Sequence, residues 1–566
     1  MKTFKKAVAV LLSVLLAFAS VSLFAAAENE ELKISVASDI HIGLKEKISD
    51  YFNDGSMSNK GSLLSLQDEA TAIFDSFLKE SAASGVKYVL LSGDLTSSGK
   101  PEEFEFLSAC LKKFEAETGI RVLVTPGNHD YFFSKNDGVK AFREAFSDFG
   151  FSEAFAIDEK TNSYAIDLEG GYTLLSIDSI LPGEGEDGIT EELLSWVEAQ
   201  AKAATERGRK LIAMMHHPLL PQFSTQEKFF KGYIVKDWKN ISSKFADLGI
   251  KYVFTGHKHS ADIAVKTSDL GNKIFNIGIP SLLISPLAYR IVTFSDEKVS
   301  VREKNITEIK DTSLLLKGYN DEAFEKVSKH TGAYADEFFD ISFKNTIEKN
   351  LTAEKLSKLT GKDDENTKAV FETVCKKTLY LMELPLYGEG ETVQTIAKKY
   401  GLTLPETEYK TGFELLSTIA KAFCAGDENF PSDSPEMKLG LRCLAILLDY
   451  SLEGTSNDIR VLFIQAIMSA LGADVTGLSV SIAALLTSLG NQEFGVAVVS
   501  AFIKPILEDF LVDSEPSDRN VDLPAYSKTY TKPGVASTIG FFEKIANFFM
   551  KLWNYLKGIF NAFSKK

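Results

Sequence analysis

The sequence predicts an α/β domain followed by a mainly α-helical second domain, on three observations. From residue 32 to residue 303, short apolar runs of strand length alternate with amphipathic stretches of helical period. A residue able to do chemistry follows many of those runs, which is where open α/β sheets collect their ligand sites. Beyond about Asp311 the strand signals fade and helical spacing takes over. At 566 residues the chain exceeds one ordinary domain, since about 100–200 residues per domain is usual.

Taken in order, residues 1–27 have the layout of a secretory leader: Lys2, Lys5 and Lys6, an apolar run from Ala7 to Phe24, and Ala25-Ala26-Ala27 before Glu28. Cleavage after Ala27 is expected, which makes the protein secreted or extracytoplasmic and open to cell-surface association. Leu32 to Ser38 reads as a strand, with Asp39 and His41 directly after it. A helix with Leu66, Ala70, Ile73, Phe74 and Phe77 on one face ends at Gly85. Lys87 to Leu91 is the next strand and closes on Gly93-Asp94. Pro101 opens a helix that Gly119 stops. The strand Ile120 to Val124 then runs through a Pro126-Gly127 break into Asn128, His129 and Asp130.

A helix around Val139 to Phe146 follows, then strands Tyr164 to Leu168 and Tyr172 to Ile177 and a helix near Glu191 to Arg207. Lys210 to Met215 is a strand ending in His216-His217, and Lys251 to Phe254 one ending in Gly256-His257-Lys258-His259. Strands at Lys273 to Ile277, Tyr289 to Phe294 and Lys298 to Glu303 complete the α/β region.

The chain has seven histidines, and six of them follow strands in this half. With Asp39, Asp94 and Asn128 they form a mixed oxygen and imidazole set, the composition that suits Mn, Fe or Zn. The four cysteines contain no C-x-x-C pair, so thiolate metal binding is not expected; a bridge between Cys424 and Cys443 stays open. A net charge of −16 argues against general nucleic-acid binding, whose affinity comes from Lys and Arg.

Asp39-Ile40-His41, Gly93-Asp94, Gly127-Asn128-His129-Asp130, His216 and Gly256-His257-Lys258-His259 occur in the order D-x-H, G-D, G-N-H-D/E, H, G-H-x-H. In this the sequence resembles the calcineurin-like metallophosphoesterase superfamily over residues 32–306, and within it the cyclic-nucleotide phosphodiesterase-like branch. The resemblance implies a layered αββα sandwich and two divalent or trivalent metal ions. It places Asp39, His41 and His259 on one metal, Asn128, His216 and His257 on the other, and Asp94 between them. It also implies that His129 protonates the leaving oxygen or holds the phosphoryl group. Asp130 would orient that imidazole or merely cap its turn, and His217 would support a ligand or touch substrate. The implied reaction is hydrolysis of a small phosphoester by a metal-bound hydroxide, with a diester favoured. A monoesterase such as a nucleotidase and a non-catalytic envelope-binding protein are the alternatives. Pro221 to Lys239, with Phe229, Phe230, Tyr233 and Trp238 among Lys228, Lys231 and Lys236, either covers the site or packs on the sheet as an amphipathic helix. Lys258 is expected to be solvated.

The expected boundaries are 1–27 leader, 28–310 phosphoesterase domain, 311–512 helical domain, 513–540 linker or surface strap, and 541–566 basic amphipathic helix. Helices are expected at Leu351 to Leu359, Lys368 to Leu381, Glu436 to Leu452, Asp458 to Leu471, Val480 to Leu489 and Val496 to Leu511. His330 stands apart in a polar context and reads as a surface residue. In the tail, Ile545, Phe548, Leu552, Ile559 and Phe563 oppose Lys544 and Lys551, which suits an anionic membrane surface or docking on the protein's own acidic domains. Deleting residues 541–566 should reduce co-sedimentation with anionic vesicles; unchanged binding would favour the docked tail.

Overall fold

The computed structural model describes residues 31–48, 64–133, 137–181, 188–224, 226–229, 232–362, 364–470, 494–512 and 518–526. The expected leader, the basic tail and the helix expected at Val480 to Leu489 lie outside the described residues. Among the described residues, no helix is long and apolar enough to cross a membrane.

In chain order come strands β1 (Leu32–Ala37), β2 (Tyr88–Ser92), β3 (Arg121–Thr125), β4 (Ala156–Ile157), β5 (Tyr164–Leu168), β6 (Tyr172–Ile177) and β7 (Lys210–Met215). They are followed by β8 (Ile250–Thr255), β9 (Asp262–Thr267), β10 (Lys273–Gly278), β11 (Ala288–Phe294), β12 (Lys298–Asn305) and, after the helical region, β13 (Asn520–Pro524). One sheet has the order β13-β12-β11-β1-β2-β3 and the other β4-β5-β6-β7-β8-β10-β9. β1, β2 and β3 run parallel, as do β6, β7 and β8.

Strand alternation builds the layers. In β7, Ile212 and Met214 join the core between the sheets, while Leu211, Ala213 and Met215 join a second core under the helices. A strand buried on both faces reads as one apolar run, as Leu211 to Met215 does. Leu193 and Val197 of the helix Glu191–Glu206, with Ile241 and Phe245 of Trp238–Asp247, cover that outer face. The helices Ala70–Ala83 and Pro101–Thr118 cover the first sheet through Ile73, Phe77, Leu107 and Leu111. The result is the αββα sandwich expected from the sequence, followed by a helical region.

Helices of that region include Thr331–Asn350, Glu365–Glu383, Gly412–Ala425 and Pro435–Ser451. Asp364, Thr411 and Ser434 cap three of them by accepting a first-turn N–H. The helix expected at Val496 to Leu511 is interrupted by a π turn at Val499–Ile503. Pro505 follows immediately, and its missing N–H removes a bond the regular helix needs. His330 is exposed at a helix end, and all four cysteines are free, so no Cys424–Cys443 bridge forms.

The stretch expected as linker or strap contains β13, which pairs antiparallel with β12 and extends the first sheet. Tyr526 then inserts beside Tyr172 and Tyr252 of the second sheet, at ring separations of 5.8 and 5.5 Å. Next to β13, Arg519 bonds Glu303 at 2.6 Å, and Glu303 also pairs with the fully buried Arg290. Glu303→Ala would strand the buried Arg290 guanidinium, while Arg519 keeps Asp427, and should cost about 3–5 kcal/mol in denaturant unfolding. A loss within the range of a surface pair, below about 1 kcal/mol, would show that burial does not govern this network.

Candidate metal centre

The parallel strands of both sheets end on the same side of the sandwich, and the polar motifs sit there. The loop after β1 is stitched to the loop after β2: Asp39 N donates to Gly93 O and His41 N to Asp94 O, each at 3.0 Å. Gly256 N likewise donates to His216 O at 2.9 Å, tying the loops after β8 and β7. Asp39, His41, Asp94, His257 and His259 all have left-handed backbone, with φ of 53, 38, 49, 68 and 62°. Such conformations are uncommon for residues with a Cβ and cluster where function holds them. Close approach explains two motif glycines. A Cβ on Gly93 would lie 2.4 Å from the His216 ring, and one on Gly256 would lie 1.8 Å from Ser38 Oγ.

Two groups of ligand atoms result, each within 4.8 Å of one another: Asp39, His41, Asp94 and His259, and Asp94, His216 and His257. Asp94 is common to both. Its Oδ2 lies 3.4 Å from His216 Nε2 and 3.7 Å from His41 Nε2, and its Oδ1 accepts the His129 backbone N–H at 2.8 Å. Asn128 Oδ1 is buried without a hydrogen-bond donor, as expected of an oxygen kept for a cation. Backbone carbonyls fix the rings: His216 Nδ1 donates to Ser92 O at 2.9 Å, leaving Nε2 for a ligand. His257 Nε2 donates to Gly232 O at 3.1 Å, leaving Nδ1. Two carboxylates, an amide oxygen and oriented imidazoles fit a pair of borderline metal ions.

The electrostatics agree with that fit. Burial disfavours charge on Asp39, but His259 and His216 overcome it and hold its pKa down at about 2. Burial also opposes protonation of His216, yet Asp94 and Asp39 push it up to about 10. Burial alone dominates His41, lowered to about 4.

Residues 32–261 match the family model described as calcineurin-like phosphoesterase. This stretch is a calcineurin-like phosphoesterase domain. Members of that family use two metal ions, in line with the two groups that share Asp94. Over 138 residues the chain is 31% identical to the glycerophosphodiester phosphodiesterase GpdQ of Enterobacter lignolyticus, covering 24% of this chain and 44% of that one. Over 216 residues it is 23% identical to a probable cyclic nucleotide phosphodiesterase of Rhodococcus erythropolis, covering 38% and 65%. The chain thus spans less than two thirds of the length of either relative. A dimetal phosphatase from Danio rerio, 11% identical, aligns over 48% of this chain and 96% of its own with a TM-score of 0.36.

Two expectations about the phosphoesterase loops are narrowed and a third, Lys258, changes. Asp130 does not orient His129. Its carboxylate accepts from the amides of Leu95, Thr96 and Gly127 and from Thr96 Oγ1, at 2.8–3.1 Å, so it braces the loop that carries Asp94. The His129 ring is held instead by Ser97 O, 2.9 Å from Nδ1. His217 is fully buried, beside Ser179 Oγ at 2.9 Å and 4.3 Å from the His257 ring, a position that fits the supporting alternative. Lys258 is not solvated: its Nζ lies over the Phe223 and Phe423 rings at 4.4 and 4.7 Å. Burial lowers its pKa to about 7, against the pull of Asp262 and Glu428.

Sequence reading missed the Ser92 and Ser97 carbonyls, which no side-chain pattern could reveal, and Phe132. The Phe132 ring lies 4.2 Å from His129, one turn further along, and is half exposed. Of the segment Pro221 to Lys239, Tyr233 lies 5.0 Å from the His257 ring, whereas Trp238 starts a helix packed on the sheet. Phe230 and Lys231 of that segment lie outside the described residues. Gly256→Ala should displace Ser38 and Asp39, with lower melting temperature and lost uptake of Mn²⁺ in a metal titration; unchanged uptake would count against this packing.

Proposed function

We propose that this protein is an exported, metal-dependent phosphoester hydrolase that prefers phosphodiesters. The observation that carries the reading is the pair of ligand groups sharing Asp94, with the amide oxygen of Asn128 buried and undonated beside them. Asp39, His41, Asp94 and His259 would hold one ion, and Asp94, Asn128, His216 and His257 the second. Two such ions, Mn, Fe or Zn, would supply Lewis-acid polarisation of the phosphoryl group and a water activated near neutral pH.

The chain's own groups do the rest. Asp39 and Asp94 offset cationic charge, so a phosphate anion meets a site of moderate potential. His129 is about one-third exposed and its Nε2 lies 4.0 Å from Asp94 Oδ2, facing the cluster from the open side. With Nδ1 held by Ser97 O, Nε2 is the ring atom left to exchange a proton with the leaving oxygen. Phe132 and Tyr233 form half-exposed aromatic walls beside His129 and His257. Such walls favour a phosphate carrying a second organic group, and the phosphodiesterase names of the two relatives support the same preference. The lysines and apolar run of residues 1–27 support export. The basic amphipathic tail supports peripheral contact with an anionic envelope.

The test strips the mature protein with chelator, restores Mn²⁺, and compares a chromogenic phosphodiester with the matching monoester. Recovery mainly on the diester is expected; recovery on the monoester alone would make the protein a phosphatase. Asn128→Ala and Asp94→Ala should abolish metal-dependent turnover, and activity within a few-fold of wild type would sink the assignment. His129→Ala should keep metal uptake while kcat falls by about 10²- to 10⁴-fold.

A further inference from the structure

The helical region meets the loop after β8 at Lys258. Lys258 stands between His257 and His259 in the loop after β8, and its ammonium is enclosed by rings from two parts of the chain. Phe223 comes from the loop after β7, and Phe423 from the last turn of the helix Gly412–Ala425. Phe510, at the end of the helical region, stacks on Phe423 at 4.5 Å and meets Phe223 edge-on at 5.0 Å, closing the aromatic group from behind. The buried carboxylates of Asp262 and Glu428 face the same ammonium, one from β9 and one from the helical region. Backbone contact continues the seam, since Ala261 N donates to Cys424 O at 3.0 Å. Gly426 fits closely there: a Cβ on it would lie 3.1 Å from Ala261 O.

We propose that the helical region is a working part of the metal centre, with Lys258 as a positioning residue gripped by Phe423. The inference rests on the reading of His257 and His259 as metal ligands. Both have left-handed backbone, at φ of 68 and 62°, a conformation that persists only when the surroundings over-determine it. The peptide between them carries the Lys258 side chain. An ammonium held over two aromatic faces is attracted electrostatically to both rings, more so when water is excluded. Fixing that side chain fixes the turn, and the turn sets the aim of one imidazole toward each ion. The grip acts through the ligands: Lys258 points into the domain seam and touches no reacting atom.

Three full-chain variants test this: Phe423→Ala opens the cage, Lys258→Met keeps the stem without the charge, and Lys258→Arg restores a cation. Each is stripped of metal and titrated with Co²⁺, reading the visible absorption of the bound ion as well as affinity. Phe423→Ala and Lys258→Met should bind Co²⁺ about 10- to 100-fold more weakly, the usual cost of losing a group that orients metal ligands. Their spectra should shift, and Lys258→Arg should recover both affinity and spectrum. If Phe423→Ala fails to fold by circular dichroism, Lys258→Met alone decides, because it leaves the aromatic packing in place. Wild-type affinity and spectrum in Lys258→Met would overturn the proposal while leaving the metal assignment intact. A wild-type protein that takes up no Co²⁺ would instead overturn the metal assignment, and the positioning role with it.

Discussion

A buried carboxylate that no single neighbour can satisfy is the constraint on which this site depends. Asp94 is almost fully enclosed, and moving a carboxylate out of water is tolerable only with compensating charge or donors. His41, His129 and His216 all approach its Oδ2, and the His129 amide takes its Oδ1. Asp94 and Asp39 in turn favour the protonated forms of His216 and His259. A metal ion would enter by displacing those protons, so ion uptake and imidazole titration are one equilibrium viewed from two sides. The sandwich exists, in this sense, to bring the ends of two sheets within reach of one oxygen atom.

That demand explains why the loops are built so tightly. Five candidate ligands take left-handed backbone, each at a cost of about 1–3 kcal/mol. Neighbouring loops hold them there by backbone hydrogen bonds, by glycines that let side chains press on the chain, and by Asp130. The carboxylate of Asp130 gathers the two amides that follow Asp94, those of Leu95 and Thr96, and the amide of Gly127, joining two motifs that lie far apart in sequence. Rigidity of this kind limits reorganisation when charge develops on a phosphoryl group.

Much of this was legible in the amino-acid order. β5, β6 and β7 fall where alternating and continuous apolar runs place them, and the histidines following strands point to the site. What escaped reading was whatever depends on backbone or on distant packing. β9 was missed because burial falls off along Asp262 to Thr267, and its polar residues dilute the pattern. β13 was hidden in a stretch of Pro, Ser and charge, and only its partner β12 makes a strand of it. Asp130 looked like a partner for the adjacent imidazole because sequence shows adjacency, while the chain turns its carboxylate to the other loop. Lys258 looked solvated because a lysine between two histidines gives no hint of aromatic rings arriving from residues 223 and 423.

The return of β13 to the edge of the first sheet makes the helical region, topologically, an excursion from a phosphoesterase sheet. A chain emerging from its N-terminus has β12 in hand long before the strand that covers it. Until then β12 offers an unpaired backbone edge, the kind of surface that recruits other strands. The contacts that close this edge are among the most distant in sequence that the fold contains, and closing such loops slows folding. Synthesis order therefore sets a vulnerable interval, which ends only when residues 518–526 arrive and seal the sandwich from both sheets at once.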